Sequence, residues 1–131
     1  MKSPSKVHLL LTGLVAFSGS WVHAAEVNLY TTREPVLMQP LLKEFSQKTG
    51  VKVNTVFIKD GLLERVKAEG RRSPADVMLT VDFGNLVDLV ESGLTQRVDS
   101  KILNKSIPGN LRAANGHWYA LSMRARAVYV S

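Results

Sequence analysis

The side chains best suited to chemistry follow two strand-like runs of the sequence. Four consecutive polar residues follow the run 26–30, and one acid lies just beyond the run 76–80. Carboxylate and hydroxyl oxygens suit hard metal ions, whereas a guanidinium binds anions. If the two segments meet in the fold, they predict a site for a hard cation held together with an anion. The candidates are Thr31, Thr32, Arg33, Glu34 and Asp82.

Each candidate also has a purely structural interpretation. Thr31 and Thr32 are residue types that cap helix N-termini. Glu34 and Asp82 suit the first turn of a helix, where an acid complements the helix dipole. Arg33 suits a solvated surface, since most arginines are exposed. Spacing alone leaves both interpretations open.

Residues for covalent or acid–base catalysis are scarce. The chain has no cysteine, which excludes disulfides and thiolate metal sites, and beyond residue 24 its only histidine is His117. The sequence contains no nucleophile elbow, no Gly-rich phosphate loop and no pair of histidines at metal spacing. We therefore expect that the protein is not an enzyme.

Alternating strand and helix patterns would position the candidate residues. β-Branched and apolar residues predict strands over 26–30, 51–58 and 76–80. The third run is continuously apolar, which is typical of a strand buried on both faces. Short connections favour right-handed crossovers. The sequence therefore predicts an α/β fold with a mostly parallel sheet and flanking helices.

Helical spacing of apolar residues predicts helices after each strand. The first covers 36–48 and ends at Gly50, and the second is capped by Asp60 and ends at Gly70. The third places apolar residues on one face and stops at Gly93. The first helix is expected to pack on the sheet through a stripe of four residues: Leu37, Leu41, Leu42 and Phe45.

The last third of the chain has weaker patterns. Ser100 is expected to cap a short helix that runs through Lys105. Two further segments, 118–121 and 126–130, are strand-like.

The order of the strands decides whether the candidates meet. In open α/β sheets, ligands bind at the carboxyl ends of the strands, where the strand order reverses. If the first strand lies between the other two, that point lies between the first and third strands. Helix N-termini near Pro35 and Phe83 would then point into the same crevice and favour anionic groups.

Residues 1–24 have the pattern of a secretory signal peptide. Lys2 and Lys6 precede an apolar stretch, and small residues at Ala24 and Ala25 fit a cleavage site. Cleavage there would remove two lysines and no acids, which lowers the formal charge from +6 to +4. The remaining basic residues are scattered, which argues against binding of nucleic acid. We expect an exported protein.

Eight short blocks occur along the chain and together carry a resemblance. They are 27–33 (VNLYTTR), 44–53 (EFSQKTGVKV), 64–70 (ERVKAEG), 73–77 (SPADV), 80–82 (TVD), 107–112 (IPGNLR), 116–122 (GHWYALS) and 124–126 (RAR). With these blocks the chain resembles about the first third of the periplasmic ferric-iron-binding proteins. These are substrate-binding components of ABC-type iron(III) importers, among the type II periplasmic binding proteins.

The resemblance implies a fold and a function. Residues 25–131 would form an incomplete first lobe that ends near the first hinge strand between the lobes. The full protein would be a monomeric, two-lobed clamp that closes by a hinge motion on Fe(III), often with a synergistic carbonate-like anion. It would deliver the ion from the periplasm to an inner-membrane permease.

The resemblance also assigns residues. In many members a histidine, sometimes followed by a tyrosine, comes directly after a Tyr-x-x-Arg segment and ligates iron. Here that segment is Tyr30-Thr-Thr-Arg33, so the matching positions hold Glu34 and Pro35. The carboxylate of Glu34 suits a ferric ion, whereas Pro35 has no ligand atom in its side chain. Arg124 and Arg126 are candidate contacts to the anion or to the other lobe.

The paired adjacent tyrosines that dominate iron binding in the family do not occur in this sequence. Tyr30, Tyr119 and Tyr129 lie in strand-like segments, and we interpret them as packing residues. Because Ser131 lies in an apolar run, we expect a truncated chain that by itself binds Fe(III) weakly or not at all. Two alternatives stay open: a binding protein for another small ligand, such as an oxyanion or organic cation, and a truncated product without transport activity.

Overall fold

The computed structural model describes residues 25–124. Strands and helices alternate along most of this range, as predicted. The elements are β1 (Glu26–Thr31), α1 (Pro35–Thr49), β2 (Lys52–Phe57), α2 (Leu62–Glu69), β3 (Val77–Leu79), α3 (Phe83–Glu91) and α4 (Lys101–Ser106), with short 3-10 turns at Gly70–Arg72 and Gly109–Leu111. The predicted signal peptide, the strand-like segment 126–130, Arg126 and Tyr129 lie outside the described residues.

The three strands form one parallel sheet in the order β2-β1-β3. The central position of β1, which was the condition for the candidate residues to meet, is therefore observed. Thr31 pairs with Phe57 on one side and with Leu79 on the other, so β1 ends level with both neighbours. The segments that leave β1 and β3 consequently start side by side at one edge of the sheet.

The predicted ends of α1 are confirmed, whereas the predicted start of α2 is wrong. Pro35 is the first residue of α1, and Gly50 ends it in the left-handed conformation with φ of 72°. The N-cap of α2 is Gly61, with φ of 79°, and not Asp60. Gly61 adopts the left-handed conformation directly before the first helical residue, Leu62. Asp60 therefore lies one residue before the N-cap position.

The buried apolar cluster consists of residues from β1, α2 and α3 together with the residue that follows β2: Tyr30, Ile58, Leu62, Val66 and Leu89. The predicted apolar stripe of α1 contributes little to burial, because Leu37, Leu41 and Phe45 are 61%, 55% and 43% exposed. Instead, α1 buries Met38 and half-buries Leu42. The inward face thus keeps Leu42 from the predicted stripe and includes Met38 in place of the other three residues.

Strand β3 is shorter and more exposed than predicted. It spans three residues, and within residues 25–124 it pairs only with β1. Val77 is 48% exposed, and Met78 and Leu79 are half-buried. The prediction of a strand buried on both faces is therefore wrong for the described residues, because Val77 on one face and Met78 on the other both remain partly exposed.

The region after α3 follows the prediction only in part. Ser100 caps α4, since its Oγ accepts a hydrogen bond of 3.3 Å from the backbone N–H of Leu103. Among the described residues, the strand-like segment 118–121 forms only one antiparallel bridge, between Arg112 and Tyr119. Among residues 25–124, no helix is long and apolar enough to cross a membrane.

Candidate functional site

Thr31 ends β1 and lies completely buried below the candidate crevice. Its Oγ1 accepts a hydrogen bond of 2.9 Å from the backbone N–H of Arg33. Such a bond from a threonine to the chain two residues on fixes a turn. Thr31 therefore orients the backbone of Arg33 and does not present its own hydroxyl to solvent.

Thr32 joins the segment that follows β1 to the one that follows β3. Its N–H donates to the carbonyl of Leu79 at 3.1 Å, and its Oγ1 accepts from the N–H of Val81 at 3.0 Å. These two bonds extend the β1–β3 pairing past the ends of the strands. The predicted meeting of the two segments is observed at this point.

Asp82 acts as the N-cap of α3. Its Oδ1 accepts from the backbone N–H of Asn85 at 2.9 Å, and its Oδ2 accepts from Asn85 Nδ2 at 2.8 Å. Both carboxylate oxygens therefore already have a hydrogen-bond donor. The sequence left open a structural role for this acid in the first turn of a helix, whereas Asp82 lies one position earlier, as the N-cap that fixes the start of α3.

Glu34 occupies the N-cap position of α1 without capping the helix through its side chain. Its backbone carbonyl accepts a hydrogen bond of 3.1 Å from the N–H of Leu37, while its side chain is exposed. Within the described range, the side chains of Arg33 and Glu34 form no hydrogen bond or ion pair. A carboxylate and a guanidinium without side-chain partners in the described range thus lie in the segment between β1 and α1.

Arg124 reaches the same place from the end of the described range. Its Nη2 donates a hydrogen bond of 3.3 Å to the carbonyl of Val81, whose N–H is bound by Thr32. Thr32 and Arg124 therefore meet on one residue of the loop before α3. Arg126, the other arginine assigned by resemblance, lies outside the described residues.

An aromatic pair beside this loop was missed in the sequence. The rings of Phe83 and Trp118 contact edge to face, with centroids 5.3 Å apart and planes inclined by 80°. Phe83 is the first residue of α3 and is 60% exposed. Its place directly after Asp82 was visible in the sequence, but the contact with a residue 35 positions away was not.

The sequence and the structure of this chain are both similar to those of known iron-uptake and ferric-binding proteins. The chain is 44% identical over 104 residues to iron uptake protein A1 of Synechocystis. Its structure superposes on a Bordetella ferric binding protein with a TM-score of 0.72 and 65% identity over 74% of the chain. It also superposes on a Trichodesmium protein solved with iron and citrate ligands, with a TM-score of 0.68 and 44% identity over 72% of the chain.

The chain is related to ferric-iron-binding proteins. It spans only 29% of the Synechocystis protein, 31% of the Bordetella protein and 30% of the Trichodesmium protein. No family model matches it. The expected class, a partial α/β lobe with a parallel sheet, agrees with both the fold and these coverages.

Metal-ligating side chains are not clustered in the described part of the chain. Within residues 25–124, no group of three or more histidine, cysteine, aspartate or glutamate side chains could hold a metal ion. His117 lies in a turn, where its Nδ1 and the Oγ1 of Thr95 share a hydrogen bond of 2.9 Å.

A second polar cluster lies away from the crevice, where Tyr30 packs under α2. The Tyr30 hydroxyl and Arg65 Nε both donate to Oε1 of Glu69, at 3.0 and 2.9 Å, and Ser73 Oγ donates to Oε2 at 2.6 Å. The hydrogen bond from Ser73, followed by that from Arg65, lowers the pKa of Glu69. The same Glu69 bond raises the pKa of Arg65, whose guanidinium lies 4.9 Å from the Tyr30 ring centroid.

Two tyrosines therefore have structural roles. Tyr30 is almost completely buried, which confirms that it is a packing residue. Tyr119 donates a hydrogen bond of 2.8 Å from its hydroxyl to the carbonyl of Val98 and so ties the region after α4 to the loop before it.

Proposed function

We propose that this chain is part of an exported ferric-iron-binding protein and forms one side of its iron crevice. The observation that carries the proposal is the 65% identity to the Bordetella ferric binding protein over 74% of this chain. The full protein would capture Fe(III) in the periplasm and deliver it to the permease of an ABC-type importer. Residues 1–24 would direct export and be removed.

The residues at the crevice suit an oxygen-rich site for ferric ion. Glu34 offers a free, exposed carboxylate, and hard ferric ions prefer oxygen ligands. Arg33, Arg124 and Arg126 would supply positive charge for a carbonate-like or carboxylate anion. The N-termini of α1 and α3 add the partial positive charge of the helix dipole.

The threonines and Asp82 would act mainly by holding this arrangement. Thr31 fixes the backbone at Arg33, and Thr32 binds the N–H of Val81. Asp82 fixes the start of α3 through Asn85. We therefore assign Glu34 as the ligand on this side of the crevice, with Thr31, Thr32 and Asp82 as positioning residues.

The test is a ferric titration of the complete protein that contains this chain, purified from its native host. Fe(III) supplied with citrate or carbonate should bind stoichiometrically, as followed by absorption and equilibrium dialysis. Glu34→Gln should weaken binding at least about tenfold, since even the removal of outer-shell partners of metal ligands costs this much. Glu64→Gln, an exposed acid on α2, is the matched control and should bind iron like the parent.

Two results would contradict the proposal in different ways. Absence of Fe(III) binding by the complete protein would reject iron capture and favour a binding protein for another ligand. Stoichiometric binding that Glu34→Gln leaves unchanged would retain iron capture but reject Glu34 as a ligand.

A further inference from the structure

The turn at residues 113–116 contains the only Asn-Gly pair of the sequence, Asn115-Gly116. The N–H of Gly116 donates to the carbonyl of Ala113 at 3.0 Å and closes the turn. The carbonyl of Gly116 accepts a hydrogen bond of 3.0 Å from the N–H of Val98, and a Cβ on Gly116 would lie 2.7 Å from the Val98 carbonyl oxygen. With a φ of 75° as well, this position requires a glycine after Asn115.

The side chain of Asn115 is bent towards the peptide bond that follows it. Its Oδ1 accepts a hydrogen bond of 3.3 Å from the backbone N–H of His117. This arrangement is an Asx turn, in which the side chain mimics a backbone turn over the next residue. It brings the side-chain amide carbon, Cγ, towards the peptide nitrogen of Gly116. The same hydrogen bond would stabilise negative charge on Oδ1 if a nucleophile added to Cγ.

We propose that Asn115 is a site of spontaneous deamidation, independent of iron capture. The peptide nitrogen of Gly116 loses its proton to hydroxide and forms a bond to Cγ of Asn115. The side-chain nitrogen takes up a proton and leaves as ammonia, which gives a cyclic succinimide. Water then opens the ring at either carbonyl and produces aspartate or isoaspartate. Attack within one chain avoids the entropy cost of bringing two molecules together, and a glycine without Cβ hinders it least.

Either product changes the turn. Both carry a carboxylate where Asn115 has a neutral amide, so the turn gains a negative charge. Isoaspartate also routes the main chain through Cβ and Cγ, which lengthens the backbone just before Gly116. A lengthened backbone cannot keep Gly116 bonded to both Ala113 and Val98 without rearrangement. Modification should therefore loosen the contact between this turn and the segment before α4.

The fold also sets the rate of the reaction. The attacking nitrogen of Gly116 can lose its proton only when the hydrogen bond to Ala113 opens. Deamidation should therefore be slower in the folded protein than in the same chain unfolded in urea. It should become faster as the pH rises, because hydroxide removes the proton.

The test is incubation of the complete protein at neutral and alkaline pH, followed by proteolysis and mass spectrometry. The peptide that contains Asn115 should gain the mass difference between an amide and a carboxyl group, and fragmentation should reveal isoaspartate. The other asparagines precede residues larger than glycine and serve as internal controls that should react later: Asn28, Asn54, Asn85, Asn104 and Asn110.

The variant Asn115→Gln provides a matched control. It retains a side-chain amide, but its longer side chain would have to close a larger ring, so its peptide should keep its mass. Loss of the modification in this variant alone would support attack by the neighbouring peptide nitrogen.

Two results would overturn the inference. If Asn115 stays intact in the folded protein while the urea-unfolded protein deamidates, the fold protects this turn and the native protein has no such site. If the other asparagines react as fast as Asn115, the turn and the following glycine confer no preference. A pH-dependent mass gain confined to Asn115 would support the inference.

Discussion

Glu69 illustrates how a residue outside the crevice supports the sheet that forms it. Its carboxylate accepts hydrogen bonds from Tyr30, Arg65 and Ser73, so it connects β1, α2 and the turn before β3. The sequence identified Tyr30 as a packing residue, but it gave no sign that its hydroxyl would meet a glutamate 39 positions away. Such contacts depend on how α2 lies across the sheet, which no local pattern encodes.

The Glu69 cluster predicts a pH-dependent contribution to stability. Its pKa is lower in the folded protein than in the unfolded chain, so the charged form favours folding. The contribution is complete above the pKa of unfolded glutamate and is lost as the pH falls through the lower pKa of the folded state. Glu69→Gln should therefore lower the melting temperature at neutral pH, and the difference from the parent should shrink on acidification.

The measurement is thermal unfolding of the complete protein and its variants by circular dichroism over a series of pH values. Glu64→Gln is the control, since Glu64 is an exposed acid on the same helix. A melting difference for Glu69→Gln that stayed constant or grew at acidic pH would contradict the assigned role.

At the scale of single elements, sequence patterns identified the helices but not always their buried faces. In α1, apolar residues occupy much of the circumference, and three of the predicted contact residues, Leu37, Leu41 and Phe45, are exposed. Met38 is buried instead, because the sheet selects one of several possible faces. Tertiary packing decides such cases, since periodicity alone allows neighbouring faces.

Helix capping gives a prediction with a built-in control. Asp82 caps α3 through the N–H of Asn85, whereas Asp60 precedes the true N-cap of α2, Gly61. Asp82→Ala should cost about 1 kcal/mol of unfolding free energy, as for other N-cap substitutions. Asp60→Ala should cost less than about 0.5 kcal/mol, as for other surface positions. Urea unfolding of the complete protein measures both, and equal losses would show that the cap does not set the stability of α3.

At the scale of the whole molecule, the alternation of strands and helices predicted the parallel sheet but not its strand order. The central position of β1 was only a condition of the sequence argument, and in the structure it brings Thr32 against Val81. The contacts of Arg124 with Val81 and of Trp118 with Phe83 were not predictable, because they depend on how the irregular region after α4 folds back. Long-range returns of this kind have no short-range sequence signal.

The small number of candidate metal ligands among the described residues leads to the last prediction. The described residues offer Glu34 as an unengaged carboxylate at the crevice, but no group of three acidic, histidine or cysteine side chains that could hold a metal. A single carboxylate in water cannot hold Fe(III) firmly, since tight metal sites combine several ligands in fixed geometry. Residues 25–131 produced alone should therefore bind Fe(III) weakly or not at all, whereas the complete protein should bind one equivalent.

The comparison uses dialysis against ferric citrate, with circular dichroism to verify that the isolated segment retains helices. A strong, stoichiometric tyrosinate-to-iron absorption band from the isolated segment would show that it carries a full site of its own, and the assignment of only one side of the crevice to this chain would be wrong.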